Sequence, residues 1–221
     1  DNLIAEGETK AAVVVTMDNT YWGWDYPTIN QNLMENIIPA VEAYANVSKL
    51  PADRAFCGLS MGGLTTTNVW KGLADQFGYL GIWSATEGDL DITAIENGDY
   101  PTLMLGCGMV DFAAPGFFGN GEPDYPGLIK ILKDANRPYA LKVSNGAHDW
   151  GVWRDLFTVF ADQIVWSDEA KHQPETPVTP VTPENPGTNT GDNTPIVLMG
   201  TLMLLSAAAF IELKRRQAKA K

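Results

Sequence analysis

Ser60 stands in Gly58-Leu59-Ser60-Met61-Gly62-Gly63, between an apolar run at Ala55–Leu59 and a segment of helical character at Leu64–Leu73. A strand that turns sharply into a helix around a serine exposes the hydroxyl at the turn and strains the backbone that carries it. Strand and helix are then so close that neither Gly58 nor Gly62 is expected to have room for a Cβ. The plainer alternative is a serine that merely caps the helix. A serine hydroxyl becomes a useful nucleophile only when a base takes its proton. The chain has two histidines, His148 and His172, and His172 falls in a polar stretch without core-forming residues. His148 is therefore the candidate base. The base in turn needs a carboxylate to hold its tautomer and stabilise the imidazolium that forms. Asp111 follows an apolar run at Thr102–Gly106 and is the first candidate; Asp124, Glu122 and the group Glu87, Asp89 and Asp91 are alternatives. The order serine, acid, histidine differs from the two protease orders in which histidine or aspartate comes first.

Elements that would position these residues alternate along the chain. After a polar, helix-compatible opening at 1–10, Ala11–Met17 reads as a strand, continuously apolar as a parallel strand buried on both faces should be. A loop over Asp18–Asn30 carries Tyr21, Trp22, Trp24 and Tyr26. Asn32–Val47 has Leu33, Ile37, Val41, Tyr44 and Ala45 on one helical face, with Pro39 marking a kink or boundary. Further strands are expected at Ala55–Leu59, Tyr79–Ser84, Thr102–Gly106 and Tyr139–Val143, and helices at Leu128–Ala135 and Val152–Val165. This alternation predicts an α/β fold with a mostly parallel sheet and flanking helices. Trp22, Trp24, Trp150 and Trp153 lie just beyond strand ends, the edge where open α/β sheets bind ligands, and are candidate substrate-binding residues.

The formal net charge of -12 argues against nucleic acid or an anionic membrane surface as partner. Cys57 and Cys107 both fall in strand-like runs, so buried, inert thiols are expected rather than a disulfide or metal pair.

From Asp168 onward the composition changes. The organisation expected is a catalytic domain over 1–168, a Pro/Thr-rich spacer over 169–195, a hydrophobic segment over 196–213 and a basic tail over 214–221. The apolar run is about long enough to enter a bilayer, and its basic end would stay cytoplasmic. The tail resembles the sorting signal of Gram-positive surface proteins that sortase anchors to the cell wall. It departs from the usual Leu-Pro-x-Thr-Gly motif: Thr188-Asn189-Thr190-Gly191-Asp192 matches only its Asn-Thr-Gly-Asp part, and Asn185-Pro186-Gly187-Thr188-Asn189 fits a rarer pattern.

The run Gly58–Gly63, Asp111 beyond a Gly-x-Gly turn, and Gly146-Ala147-His148-Asp149-Trp150-Gly151-Val152-Trp153 together resemble the esterase D-like group of α/β-hydrolases. That group includes family 1 carbohydrate esterases, the feruloyl and acetyl xylan esterases. The Gly-x-His-x-Trp-x-x-Trp ending is the most specific part. The resemblance extends over 1–165, and Asp1–Gly7 is similar to a segment that lies inside the family's domain. It implies an α/β-hydrolase fold, ester hydrolysis through an acyl-enzyme on Ser60, Asp111 and His148, and no metal or organic cofactor. The implied substrate is an esterified polysaccharide or oligosaccharide outside the cell. One oxyanion donor would be the backbone N–H of Met61. In that fold the serine follows the fifth of eight strands, whereas here it follows the second of five expected ones. Three strands and the second oxyanion donor are therefore expected upstream of residue 1, with the domain N-terminally incomplete. Acyl transfer by the same triad, or a surface carbohydrate-binding protein without catalysis, are the competing functions.

Overall fold

The computed structural model describes residues 2–18, 23–92 and 101–166. A short helix, α1 (Asn2–Ala5), opens it. Four of the apolar runs become strands: β1 (Ala55–Leu59), β2 (Tyr79–Trp83), β3 (Thr102–Gly108) and β4 (Ala140–Ser144). They form one sheet in the order β1-β2-β3-β4, every neighbouring pair parallel. Leu59 is level with Trp83, Trp83 with Gly106 and Gly108 with Ser144. All four strands thus end at one edge of the sheet, and each end hands the chain to a turn there.

The two inner strands are buried on both faces, so their alternating side chains divide the core in two. Leu80, Ile82, Leu103, Leu105 and Cys107 point to one side. There they meet Val69 and Trp70 of α4 (Met61–Leu73), Phe117 of α5 (Pro115–Phe118), and Leu128 and Leu132 of α6 (Leu128–Asp134). Trp83 and Met104 point to the other, against Val152, Trp153 and Leu156 of α7 (Trp150–Val159) and Phe160 of the π-helical turn Phe160–Ile164 that continues it. Each fully buried side chain of this size contributes roughly 1.5–3 kcal/mol. The layers are therefore helix, sheet, helix. Gly106 belongs to this packing: a Cβ there would lie 2.6 Å from Leu156 Cδ2.

Residues 11–17 do not form the expected strand. They take no regular secondary structure and pair with no described strand, and Val13, Val14 and Val15 are 50%, 70% and 47% exposed. An apolar run states a preference for burial, whereas a strand also requires a partner edge for its N–H and C=O groups. Among the described residues the sheet thus has four strands, and Ser60 follows the first of them.

The expected loop and helix over 18–47 are also redrawn. Helix starts at Tyr26, in α2 (Tyr26–Asn32), widens into a π-helical stretch at Leu33–Ile37, and resumes as α3 (Ile38–Tyr44). Asp25 caps the start by accepting from the Thr28 N–H and hydroxyl, and Pro27 fits the first turn, where its missing N–H costs nothing. Pro39 falls in the first turn after the π-helical stretch, so it marks the boundary between the two helical geometries. Of the predicted inward face, Leu33 is buried and Ile37 packs on the core, but Tyr44 is almost fully exposed.

Cys57 and Cys107 are free thiols in strands separated by β2. Burial pushes Cys57 up to about 12; burial and the neighbouring Asp111 push Cys107 up to about 11. Both stay protonated and unreactive at neutral pH. No helix among the described residues is long and apolar enough to cross a membrane. The spacer, hydrophobic segment and basic tail expected over 169–221, with His172, lie outside the described residues.

Candidate active site

Three of the four strand ends lead to Ser60, Asp111 and His148, and the fourth leads to a residue that the sequence did not single out. At the end of β1, Ser60 has φ 54° and ψ −121° and leads directly into α4. A non-glycine residue in that region costs about 1–3 kcal/mol, so the surrounding contacts must impose it. Ser60 N–H donates to Trp83 O at 3.0 Å, and Ser60 O accepts from Gly63 N–H at 2.8 Å. A Cβ on Gly58 would lie 2.2 Å from Gly62 O, and one on Gly63 would lie 2.5 Å from the carbonyl oxygens of Trp83 and Ala85. A Cβ on Gly62 would meet nothing within 4 Å. The steric need expected at Gly62 therefore falls on Gly63, whose helical turn rests against the end of β2.

β3 and β4 bring Asp111 and His148 together. Met109 N–H donates to Ser144 O and Val110 N–H to Gly146 O, stapling the turn after β3 to the turn after β4. Gly108 permits this approach, since a Cβ there would lie 2.3 Å from Ala147 O. The histidine turn is fixed further by Asp149. Its carboxylate accepts from Ala147, Gly151 and Val152 N–H at 2.9, 2.8 and 3.1 Å, capping α7. The Ala147 and Val152 bonds lead in holding the Asp149 carboxyl below the usual carboxylate range.

In that frame His148 Nε2 lies 2.8 Å from Ser60 Oγ and Nδ1 lies 2.9 Å from Asp111 Oδ1. Asp111 is buried; burial alone would raise its pKa. The Ser84 hydroxyl, the Ala113 N–H and His148 more than offset that and lower it. Asp111 is thus a carboxylate, able only to accept, so Nδ1 carries the proton and Nε2 is free to accept from the Ser60 hydroxyl. The sequence alternatives for the acid are placed elsewhere. Glu87 pairs with Lys71 at 2.9 Å, and Glu122 and Asp124 are exposed.

Ser84, at the end of β2, is the residue that sequence reasoning missed. It is fully buried, has φ 53°, and its Oγ accepts from Trp153 Nε1–H at 2.9 Å. It approaches Asp111 closely enough to lower the carboxyl pKa, yet Asp111 Oδ2 has no hydrogen bond of regular geometry. Only the position of Ser84 after an apolar strand could have pointed to it.

The candidate aromatics separate. Trp153 is buried, bonded to Ser84, and lies edge-on to His148 with ring centroids 5.0 Å apart. It packs against the His148 imidazole from inside. Trp150 is exposed and stacks edge-on against Trp153 at 5.0 Å. Trp24 is exposed beside Tyr26, and Trp22 lies outside the described residues. The aromatic ring nearest the imidazole in this cluster is Phe112, with ring centroids 4.3 Å apart, which is not among the candidate aromatics. Met61 begins α4, so its N–H has no intrahelical acceptor. Among the described residues no group of three or more His, Cys, Asp or Glu side chains gathers as a metal site. A cavity of about 190 Å³ opens at the opposite, N-terminal ends of β3 and β4, between Leu103 and Tyr139, away from the triad.

The parallel sheet between helical layers, with a strained serine turn at a strand end, decides the architecture. The fold is that of an α/β-hydrolase. No protein-family model matches the chain. Among solved structures it is similar to a ferulic acid esterase from Anaeromyces mucronatus, with 21% identity over 75% of this chain and 69% of that one, and a TM-score of 0.57. A feruloyl esterase module from Clostridium thermocellum, complexed with sinapinate, matches at 18% identity over 79% and 70%, with a TM-score of 0.54. An enterochelin esterase from Shigella flexneri matches at 16% over 74% and 45%, with a TM-score of 0.57. At these identities the likeness is one of α/β-hydrolase fold, and the chemistry rests on the residues of this chain.

Proposed function

We propose that the chain is a serine carboxylic-ester hydrolase that works through an acyl-enzyme on Ser60. The observation that carries this reading is the unbroken path from Ser60 Oγ through His148 to buried Asp111, at 2.8 and 2.9 Å. Ser60 Oγ attacks the ester carbonyl while Nε2 takes its proton, and Asp111 stabilises the imidazolium. The oxyanion that forms is met by the Met61 N–H at the positive end of α4. Collapse expels the alcohol, which takes the proton back from Nε2. Water, deprotonated by the same nitrogen, then releases the acid and restores Ser60.

The substrate proposed is a feruloyl or acetyl ester of plant cell-wall polysaccharide. The exposed Trp24 and Trp150 suit a sugar ring or an aromatic acyl group. The Anaeromyces and Clostridium structures named above add support, being a ferulic acid esterase and a feruloyl esterase module. In the same reading 1–168 is the esterase domain, 169–195 a spacer, and 196–213 with 214–221 a surface anchor, by sortase or in the membrane, that holds the enzyme outside the cell. Assaying the chain against feruloylated and acetylated oligosaccharides and aryl esters tests this. Cleavage that disappears in Ser60→Ala is expected. A folded chain that cleaves none of them contradicts it.

A further inference from the structure

Phe112 combines two properties that seldom occur together. The residue is 77% exposed, so packing in the core does not explain it, yet its ring centroid stands 4.3 Å from that of the His148 imidazole at an interplanar angle of 36°. It follows Asp111 directly, and Ala113 N–H closes the turn by donating to Asp111 Oδ1 at 2.9 Å. The carboxylate that orients the imidazole and the ring that covers it are therefore carried by one short turn. We infer that Phe112 is a positioning residue for His148, holding the imidazole toward Ser60 and stabilising the positive charge it acquires in each acyl-transfer step; this rests on the esterase reading above.

The physical basis is that an aromatic face carries negative charge density, which attracts a cation placed over it. A ring packed on an imidazole leaves less room for water beside it, and less solvent means stronger electrostatics. Among the described residues the imidazole also meets Asp111 at Nδ1, Ser60 at Nε2 and the buried ring of Trp153. Asp149 in the same turn is engaged with three backbone N–H groups. Phe112 is the exposed aromatic among these contacts, so it can be changed with little effect on folding.

The test compares the full chain with Phe112→Leu, which keeps apolar bulk without the ring, and Phe112→Tyr, which keeps the ring. On a short-acyl aryl ester, Phe112→Leu should lower kcat by about two- to fivefold, with KM nearly unchanged. Phe112→Tyr should restore kcat. Proton NMR of the His148 ring should show, beside the ring-current shift from Trp153, a contribution from Phe112 that Phe112→Leu loses and Phe112→Tyr retains. Unchanged kcat in Phe112→Leu, or a rise in KM alone, overturns the inference while leaving the esterase reading standing. A folded wild-type chain without ester turnover overturns both.

Discussion

Gly58 and Gly62 meet where β1 ends and α4 begins: a Cβ on Gly58 would lie 2.2 Å from the Gly62 carbonyl oxygen, whereas a Cβ on Gly62 would point into open space. The two glycines that bracket Ser60 are therefore not equivalent. Gly58→Ala should force β1 and α4 apart, costing about 1–3 kcal/mol or more and displacing Ser60. Gly62→Ala should be neutral or slightly stabilising, since alanine is the better helix former by up to about 1 kcal/mol. Thermal melts and ester turnover of both variants check this; equal damage from the two would contradict the asymmetry.

Ser84 links Asp111 to Trp153, and this pairing predicts non-additivity. Ser84→Ala leaves the buried Trp153 N–H without its acceptor, costing about 1–3 kcal/mol. Trp153→Phe removes the donor as well as some packing. The double variant should be less damaged than the sum of the singles, because the stranded N–H is gone. A cycle of denaturation free energies measures this, and strict additivity would mean that the hydrogen bond contributes nothing.

Asp149 should make the histidine turn acid-sensitive. Its pKa is lowered in the folded chain, so its stabilisation is fully present above the unfolded carboxylate value of about 3.9 and is lost as pH falls through the folded value. Asp111 and Asp155 are shifted in the same direction and add to the same window. Asp149→Asn should melt earlier than wild type at pH 7, with a gap that narrows below about pH 4. A gap independent of pH would show that the carboxylate charge is not what holds the turn.

Trp150 tests the substrate side. It is exposed and stacks edge-on against Trp153, so Trp150→Ala should change stability by no more than about 0.5 kcal/mol. If it offers a platform to an aromatic acyl group or a sugar, KM for feruloylated substrates should rise several-fold with kcat retained. Unaltered KM across all esters would remove Trp150 from the binding site.

The sheet was readable from the sequence because buried parallel strands are unbroken apolar runs: the strands at 55–59, 79–83, 102–108 and 140–144 all lie within a residue or two of where they were expected. Ser60, Asp111 and His148 were readable because each follows such a run. Residues 11–17 misled because an apolar run does not say whether a partner edge is at hand. Residues 26–32 misled because helix already starts at Tyr26, inside the expected loop, whereas Pro39 does sit at a boundary, between the π-helical stretch and the α-helix that follows it. Ring orientation has no sequence signal at all, so Trp153, counted as a substrate contact, lies buried behind His148, and Phe112, uncounted, lies against it. Ser84 was missed for a similar reason: nothing in one serine after a strand tells that its backbone turns to positive φ.

The nucleophilicity of Ser60 is best measured by exposing the 221-residue chain to a fluorophosphonate and mapping the modified peptide by mass spectrometry. A single label on Ser60 is predicted, absent in Ser60→Ala and slowed by on the order of 1000-fold or more in His148→Ala. A folded chain that is labelled elsewhere or not at all, or one in which His148→Ala reacts as fast as wild type, would contradict the account.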